Sequence, residues 1–347
     1  MSTVAQGIDI AASVVIGCLD DLAPGPNPLV IDEETGGLAS ALKERGHDLA
    51  TWQRRASPAG PGRTWPEAGP FTSAFLRLPK AKDALDFALH AAASVVAPGA
   101  PIVLFGANEE GVRSVAANLA VVVGDLATVA TKRHCRVMTG ARKTEIGGLK
   151  SSLAAWRGTR EITLLRVRRE WATYPGVFAR GGLDEGTALL LANLPPLTPR
   201  SRVLDFAAGT GVIAVAVLQS IPGIAVDLVE IDALALAAAR QNVPAARVLS
   251  GVSLQATGNT QYDAILSNPP VHDGIEDDLG VLAALIAAAP RHLVWGGELR
   301  IVVQRRILAA PLLEQAFGNV TKIAVTGGFQ VLSAQRTRGS QKTAQSG

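Results

Sequence analysis

An Asn-Pro-Pro triplet at 268–270 follows the apolar run Ala264 to Leu266. Two consecutive prolines can neither extend a strand ladder nor enter a helix interior, so the chain has to turn rigidly there. Such a bend presents the Asn268 side-chain oxygen and the Pro269 carbonyl as two fixed acceptors, with Pro270 stiffening the turn. An NH2 group has two donors. The triplet is therefore suited to clamping a planar amine for alkylation, although a plain proline-rich turn needs no more than the same three residues.

A second chemical group lies upstream in Asp205-Phe206-Ala207-Ala208-Gly209-Thr210-Gly211. Gly209 and Gly211 allow a tight turn and a close backbone approach to a ligand. Gly-x-Gly without a third glycine two places on is a poor dinucleotide fingerprint, and a carboxylate at Asp205 would repel a pyrophosphate. Asp205 instead suits a ligand that carries an amine, such as the amino-acid end of S-adenosyl-L-methionine. Glu230 follows 25 positions after Asp205. A strand-end carboxylate at that distance can accept the hydrogens of both ribose hydroxyls. Its neighbour Asp232 either faces an adenine or caps a helix starting at Ala233.

These groups need parallel strands to bring them together, and the second half of the chain supplies the pattern. Strand-like runs at Arg202–Phe206, Ala225–Ile231, Asp263–Ser267 and Leu299–Val303 alternate with helix-like runs at Val212–Ser220, Ala233–Gln241 and Val281–Ala289. That alternation implies crossover units, an α/β class and ligands beyond the carboxyl ends of the strands.

The first half repeats the plan. Val30-Ile31-Asp32 followed by Gly36-Gly37-Leu38-Ala39 mirrors Val203-Leu204-Asp205 followed by its glycines. Ala74 to Lys80 mirrors Ala264 to Pro270, and Pro98-Gly99 before Ile102–Phe105 mirrors Gly296-Gly297 before Leu299. Three matches in one order predict an internal duplication. The first copy has Leu78 where the second has Asn268, and its acid-to-clamp spacing is 46 positions against 63. It reads as a scaffold or substrate-docking domain.

A basic segment between the copies carries Lys132, Arg133, His134, Arg136, Arg142, Lys143 and Lys150 with Glu145 as its one acid. Such a run can follow phosphates or can be a solvated linker face.

Composition sets the bounds. The 347 residues are enough for two domains, 48% of them are hydrophobic, and aromatics at 4% argue against an all-β sandwich. The net charge of +3 is compatible with a polyanionic partner. Cys18 and Cys135, far apart and without a Cys/His cluster, read as reduced thiols rather than a disulfide frame or zinc site. The longest apolar stretches, Ala116–Val123 and Val281–Ala289, are too short to span a membrane. A soluble cytoplasmic protein is expected. Domains are expected at 1–150 and 151–334, and residues 335–347 as a disordered basic tail.

Together these residues resemble the class I S-adenosylmethionine-dependent methyltransferases. Within that class the chain resembles the two-domain ribosomal RNA guanine-N2 methyltransferases, the small-subunit methyltransferase C family and its large-subunit relative. In the first half the resemblance rests on Val30-Ile31-Asp32, Leu78-Pro79-Lys80 and Gly106 to Ser114. In the second it rests on Pro175-Gly176-Val177-Phe178 through Leu183-Asp184-Glu185-Gly186-Thr187, the loop at 205–211, and Asn268 to His272.

The resemblance implies two tandem Rossmann-like methyltransferase domains, the N-terminal one degenerate. It implies a monomer that methylates the exocyclic N2 of a guanine in ribosomal RNA or a ribosomal subunit. Asn268, Pro269, Pro270 and His272 would be catalytic. Asp205, Ala207, Gly209, Gly211, Glu230, Ile231, Asp184, Gly186 and Thr187 would hold S-adenosyl-L-methionine, and Lys132, Arg133, Arg136, Arg142 and Lys143 would hold RNA. No metal is implied.

The chain departs from the pattern at Val271, where the family has Phe, at Ala207-Ala208, where Gly-Cys is commoner, and at Ser250-Gly251, where Ser-Asp is usual. A protein-glutamine or adenine-N6 methyltransferase, and an RNA-binding assembly factor with a decayed pocket, are the alternative readings.

Overall fold

The computed structural model describes residues 9–177, 183–269 and 276–337. Pro270, Val271 and His272, and the stretch 178–182, lie outside the described residues. The chain divides into two compact units, Met1–Arg55 with Gly62–Arg157 and Ala56–Pro61 with Gly158–Gly347. The division falls at Arg157 rather than at residue 150.

The first unit contains β1 (Pro28–Ile31), β2 (Ala50–Trp52), β3 (Ser73–Arg77), β4 (Pro101–Ala107), β5 (Val123–Lys132) and β6 (Cys135–Arg142), in the order β2-β1-β3-β4-β6-β5. β1 to β4 pair in parallel, and β6 is antiparallel to both β4 and β5. β1 is buried at every position, as an unbroken apolar strand in a sheet covered on both faces should be. The basic segment is thus not a linker between domains. Lys132 and Arg133 form the tip of the β5–β6 hairpin, where Arg133 and His134 adopt left-handed φ of 50° and 58°.

The second unit begins with the hairpin β7 (Gly158–Leu164) and β8 (Val167–Thr173). Its main sheet comprises β9 (Arg202–Phe206), β10 (Ala225–Glu230), β11 (Arg247–Ser250), β12 (Tyr262–Ser267), β13 (Leu293–Gln304), β14 (Thr321–Val325) and β15 (Phe329–Gln335). The order is β11-β10-β9-β12-β13-β15-β14, with β15 antiparallel to β13 and β14. Removal of β11 from this order leaves the order of the first unit, strand for strand, including the antiparallel pair at one edge. The first copy goes from β2 to β3 without a counterpart of the Ala233–Asn242 helix and β11. That loss accounts for its shorter acid-to-clamp spacing.

The first copy has also closed the loop after its leading strand. Glu33 is 2% exposed and its carboxylate accepts from the Leu38 N–H at 3.2 Å, the Thr35 N–H at 3.0 Å and the Thr35 hydroxyl. Leu78, in the Asn268 position, is buried, and a Cβ on Gly106 would approach its Cβ to 2.8 Å. An apolar filler stands where the second copy has Asn268, and the loop after the strand is held by its own carboxylate.

Two expectations are corrected. Leu299–Val303 is the second half of a longer strand that runs through Gly296-Gly297 as a bulge, with the register against β12 shifting between Tyr262 and Ala264. A Cβ on Gly297 would stand 2.9 Å from the Tyr262 carbonyl, which is why glycine is needed there. The tail does not start at 335: Gln335 pairs with Glu298, the Arg336 guanidinium lies 4.3 Å from the Trp295 ring centroid, and its backbone bonds to Gly296 and Gly297. Cys18 and Cys135 are buried free thiols. No helix among the described residues is long and apolar enough to cross a membrane.

Candidate active site

The register of three parallel strands brings the chemistry-bearing residues to one edge. Asp205 on β9 lies opposite Leu228 on β10 and Leu266 on β12, and Phe206 lies opposite Val229 and Ser267. Glu230 and Asn268 are the next residues on their strands, so Asp205, Glu230 and Asn268 share the carboxyl edge of adjacent strands. The Ser267 hydroxyl donates to the Phe206 carbonyl at 2.7 Å and ties two of these ends together.

Asp205 is fully buried. Its Oδ2 accepts from the Ala214 N–H at 3.1 Å, and its Oδ1 has no hydrogen-bond partner among the described residues. Burial pushes its carboxyl up to about 8; the Ala214 N–H works against the rise and the charge of Glu230 adds to it. Without a cation beside it, Asp205 is therefore mostly protonated at neutral pH. Burial also raises Glu230, against the backbone donors that surround it. Those donors are the N–H groups of Gly209 at 2.8 Å, Ile231 at 2.8 Å and Asp232 at 2.9 Å. A carboxylate has about four lone-pair positions, so roughly one remains on Glu230 for a ligand.

The loop between β9 and the Val212–Ser220 helix has two glycines with different tasks. A Cβ on Gly209 would meet nothing within 4 Å, whereas one on Gly211 would come 2.4 Å from Val243 Cγ2. Gly211 serves packing, and Gly209 leaves open space. Ala207 sits at φ 56°, a left-handed conformation that glycine adopts without strain. Thr210 is buried and accepts from Trp171 Nε1 at 3.0 Å, anchoring the loop to β8.

Asp184 caps the Glu185–Leu191 helix and accepts from the Thr187 N–H at 3.0 Å. A Cβ on Gly186 would meet the Phe329 ring at 3.1 Å. The same turn reaches Asn268, whose Nδ2 donates to Asp184 Oδ1 at 3.1 Å, to Asp184 Oδ2 at 3.3 Å and to Thr187 Oγ1 at 2.9 Å. Pro269 is buried beside it. Asp232 proves to be a helix cap, accepting from Leu234 at 2.9 Å.

The architecture and these residues have counterparts in known proteins. Residues 169–333 match the Methyltransferase small domain family and residues 29–156 the Methyltransferase small domain N-terminal family. The ribosomal RNA small subunit methyltransferase C of Ectopseudomonas mendocina is 34% identical over 272 residues, which are 77% of this chain and 80% of the relative. The enzyme of the same name from Klebsiella pneumoniae is 36% identical over 267 residues, 76% of this chain and 75% of the relative.

The chain belongs to the ribosomal RNA small subunit methyltransferase C family. A solved 16S rRNA guanine-N2 methyltransferase from T. thermophilus, in complex with AdoMet and guanosine, has the same fold over 94% of this chain and 92% of that one, with a TM-score of 0.82 at 22% identity.

For a member of this family, the departure at Gly251 has a local structural reason. A Cβ at Gly251 would stand 2.5 Å from the Ala256 Cβ, so the loop after β11 is built around glycine and excludes the usual aspartate. Ser250 beside it has a buried hydroxyl without a partner among the described residues. In the basic segment, Arg142 donates to the carbonyls of Ala93 at 3.0 Å, Lys143 at 2.7 Å and Thr144 at 3.0 Å. Lys143 donates to Ala120 at 2.6 Å and Val121 at 3.2 Å. Both cations are thus held by backbone carbonyls, those of Lys143 at the end of the Ala116–Val122 helix. Arg136 is half-buried, and Lys132 and Arg133 are exposed at the hairpin tip.

Sequence reasoning missed the link between Asp184 and Asn268. They are 84 positions apart, and no local pattern joins them.

Proposed function

We propose that the second unit transfers a methyl group from S-adenosyl-L-methionine to the exocyclic N2 of a guanine in small-subunit ribosomal RNA. The observation that carries this reading is the convergence of Asp205, Glu230 and Asn268 on one edge of three adjacent strands. Membership in the family supports the choice of substrate, since the relatives are named for small-subunit ribosomal RNA.

The residues fit the cofactor. Among the described residues, Asp205 Oδ1 is a buried acceptor without a partner, suited to an ammonium, and no side chain fills the space beside Gly209. Asp205, Ala207, Gly209, Glu230 and Ile231 would hold it, Glu230 through its remaining acceptor position at a ribose. When bound, S-adenosyl-L-methionine supplies an electrophilic methyl group.

The protein's part is to position the amine. A guanine NH2 is a weak nucleophile because its lone pair is shared with the ring. The Asn268 oxygen and the Pro269 carbonyl would accept its two hydrogens, turn the lone pair toward the methyl and stabilise the positive charge that develops on nitrogen until one N–H proton passes to solvent, the electron pair of the broken carbon–sulfur bond staying on the departing thioether. The base has to leave its stack to be reached in this way. Lys132 and Arg133, exposed on the β5–β6 hairpin, would contact phosphates of the surrounding RNA. A ribosomal RNA substrate puts the protein in the cytoplasm, and one chain carries all of this machinery, so a monomer suffices.

The test is methylation of small ribosomal subunits, and of their RNA, from cells lacking the gene, followed by mass mapping. N2-methylguanosine should form with the parent chain and disappear with Asn268→Ala, while calorimetric affinity for S-adenosyl-L-methionine stays within about threefold of the parent, since no direct cofactor contact is removed. Methylation at another atom, or full activity of Asn268→Ala, would overturn the reading.

A further inference from the structure

Hydrogen-bonding capacity decides which way the Asn268 amide is turned. Oxygen and nitrogen of an amide differ little in shape, so orientation follows from the partners. A carboxylate only accepts. The group that Asn268 directs at Asp184 must therefore be its NH2, 3.1 and 3.3 Å from the two carboxylate oxygens. Thr187 completes the set: its hydroxyl proton goes to Asp184 Oδ2 at 2.6 Å, which leaves Oγ1 as an acceptor for Asn268 Nδ2 at 2.9 Å. Both amide hydrogens have partners, and Oδ1 is on the other side of the group.

We propose that Asp184 and Thr187 are positioning residues that lock the Asn268 amide with its oxygen presented to the substrate amine. This rests on the reading of Asn268 given above. The terminal torsion of Asn is broad and two-fold. Left free, the side chain would also present NH2 to the substrate NH2, donor against donor. The lock removes that half of the states. It acts on electron distribution as well, because hydrogen bonds to a carboxylate are charge-assisted and polarise the groups they join. Negative charge on Asp184 draws the amide hydrogens and makes Asn268 Oδ1 a stronger acceptor where positive charge develops on the substrate nitrogen. Asp184 and Thr187 thus act through Asn268, rather than through the cofactor as the resemblance implies.

Asp184→Asn is the decisive variant, because Asn caps a helix as well as Asp does and the Glu185–Leu191 helix keeps its start. The measurements are kcat and KM on the small-subunit substrate, calorimetric Kd for S-adenosyl-L-methionine, and NMR of the Asn268 side-chain amide in isotope-labelled full-length protein. Asp184→Asn and Thr187→Val should lower kcat by roughly 10- to 100-fold, the scale of a lost charge-assisted bond. Cofactor Kd should move by less than about threefold, and Thr187→Ser should restore the rate. The double variant Asp184→Asn/Asn268→Ala should be no worse than Asn268→Ala alone. The Asn268 amide hydrogens should be exchange-protected in the parent and lose protection in Asp184→Asn.

Parental kcat in Asp184→Asn beside an inactive Asn268→Ala would overturn this inference alone, as would a loss confined to cofactor Kd. Parental activity of Asn268→Ala would remove the underlying reading, and this inference with it.

Discussion

The Gly209 N–H donates to the Glu230 carboxylate at 2.8 Å and so fastens the loop after β9 to the end of β10. With Ile231 and Asp232 donating to the other oxygen, Glu230 organises the backbone that lines the candidate cofactor site. Glutamine has one acceptor oxygen, and its NH2 would face one of these donors. Glu230→Gln should lose about 1–3 kcal/mol of stability and weaken cofactor binding by roughly tenfold or more. Chemical denaturation and calorimetry on the same preparation check both.

Asp205 gives the pH dependence a definite sign. Its carboxyl is held up to about 8 in the folded protein, against an ordinary value of 3.8. Between these values the unfolded chain has released a proton that the folded protein keeps, so this residue makes stability fall as pH rises through the window. Above it both states are ionised and the penalty is constant. Asp205→Asn should therefore lose less thermal stability than the parent between pH 5 and pH 8, while binding the cofactor more weakly because the partner for an ammonium is gone. Melting curves at several pH values decide the first point and calorimetry the second. A parent and variant with parallel pH profiles would show that Asp205 ionises normally.

A methyl group is unfavourable at two residues of the same loop. Ala207→Gly relieves a left-handed φ of 56° and should stabilise by up to about 1 kcal/mol. Gly211→Ala adds a Cβ 2.4 Å from Val243 Cγ2 at φ 91° and should destabilise by at least about 1–3 kcal/mol. Denaturant midpoints with unchanged slopes would measure both.

The basic residues separate into two kinds. Lys132→Ala and Arg133→Ala, at an exposed hairpin tip, should weaken RNA binding and each reduce the salt slope by about 1, with little effect on melting temperature. Arg142→Ala and Lys143→Ala remove donors to helix-end and loop carbonyls and should cost stability of about 0.5–2 kcal/mol each. Filter-binding titrations across a salt series, with melting curves alongside, distinguish the two pairs.

Much of the second unit was legible before any coordinates. β9 and the Val212–Ser220 helix begin and end where the pattern puts them, and β10 and β12 differ by one residue. Strands covered on both faces are predominantly apolar, and β9, β10 and β12 each carry a polar residue at or next to the carboxyl end. The duplication was legible for the same reason, because both copies keep the strand order once β11 is set aside. The strand through Gly296-Gly297 was not, since a paired glycine reads as a turn until the neighbouring carbonyls of Tyr262 and Val294 are seen to require it.

Residue types alone determined the chemical capacity of this chain: an amide and a proline carbonyl to accept from an amine, buried acids at strand ends, and glycines that admit a ligand. Tertiary structure decided which of those capacities are available. It turned the Asn268 nitrogen toward Asp184, tied Arg142 and Lys143 to backbone carbonyls, closed Glu33 on its own loop and left Asp205 Oδ1 without a partner among the described residues. A side chain's free lone pairs and hydrogens depend on neighbours that sheet register brings from tens of positions away, and no local stretch of sequence encodes that distance.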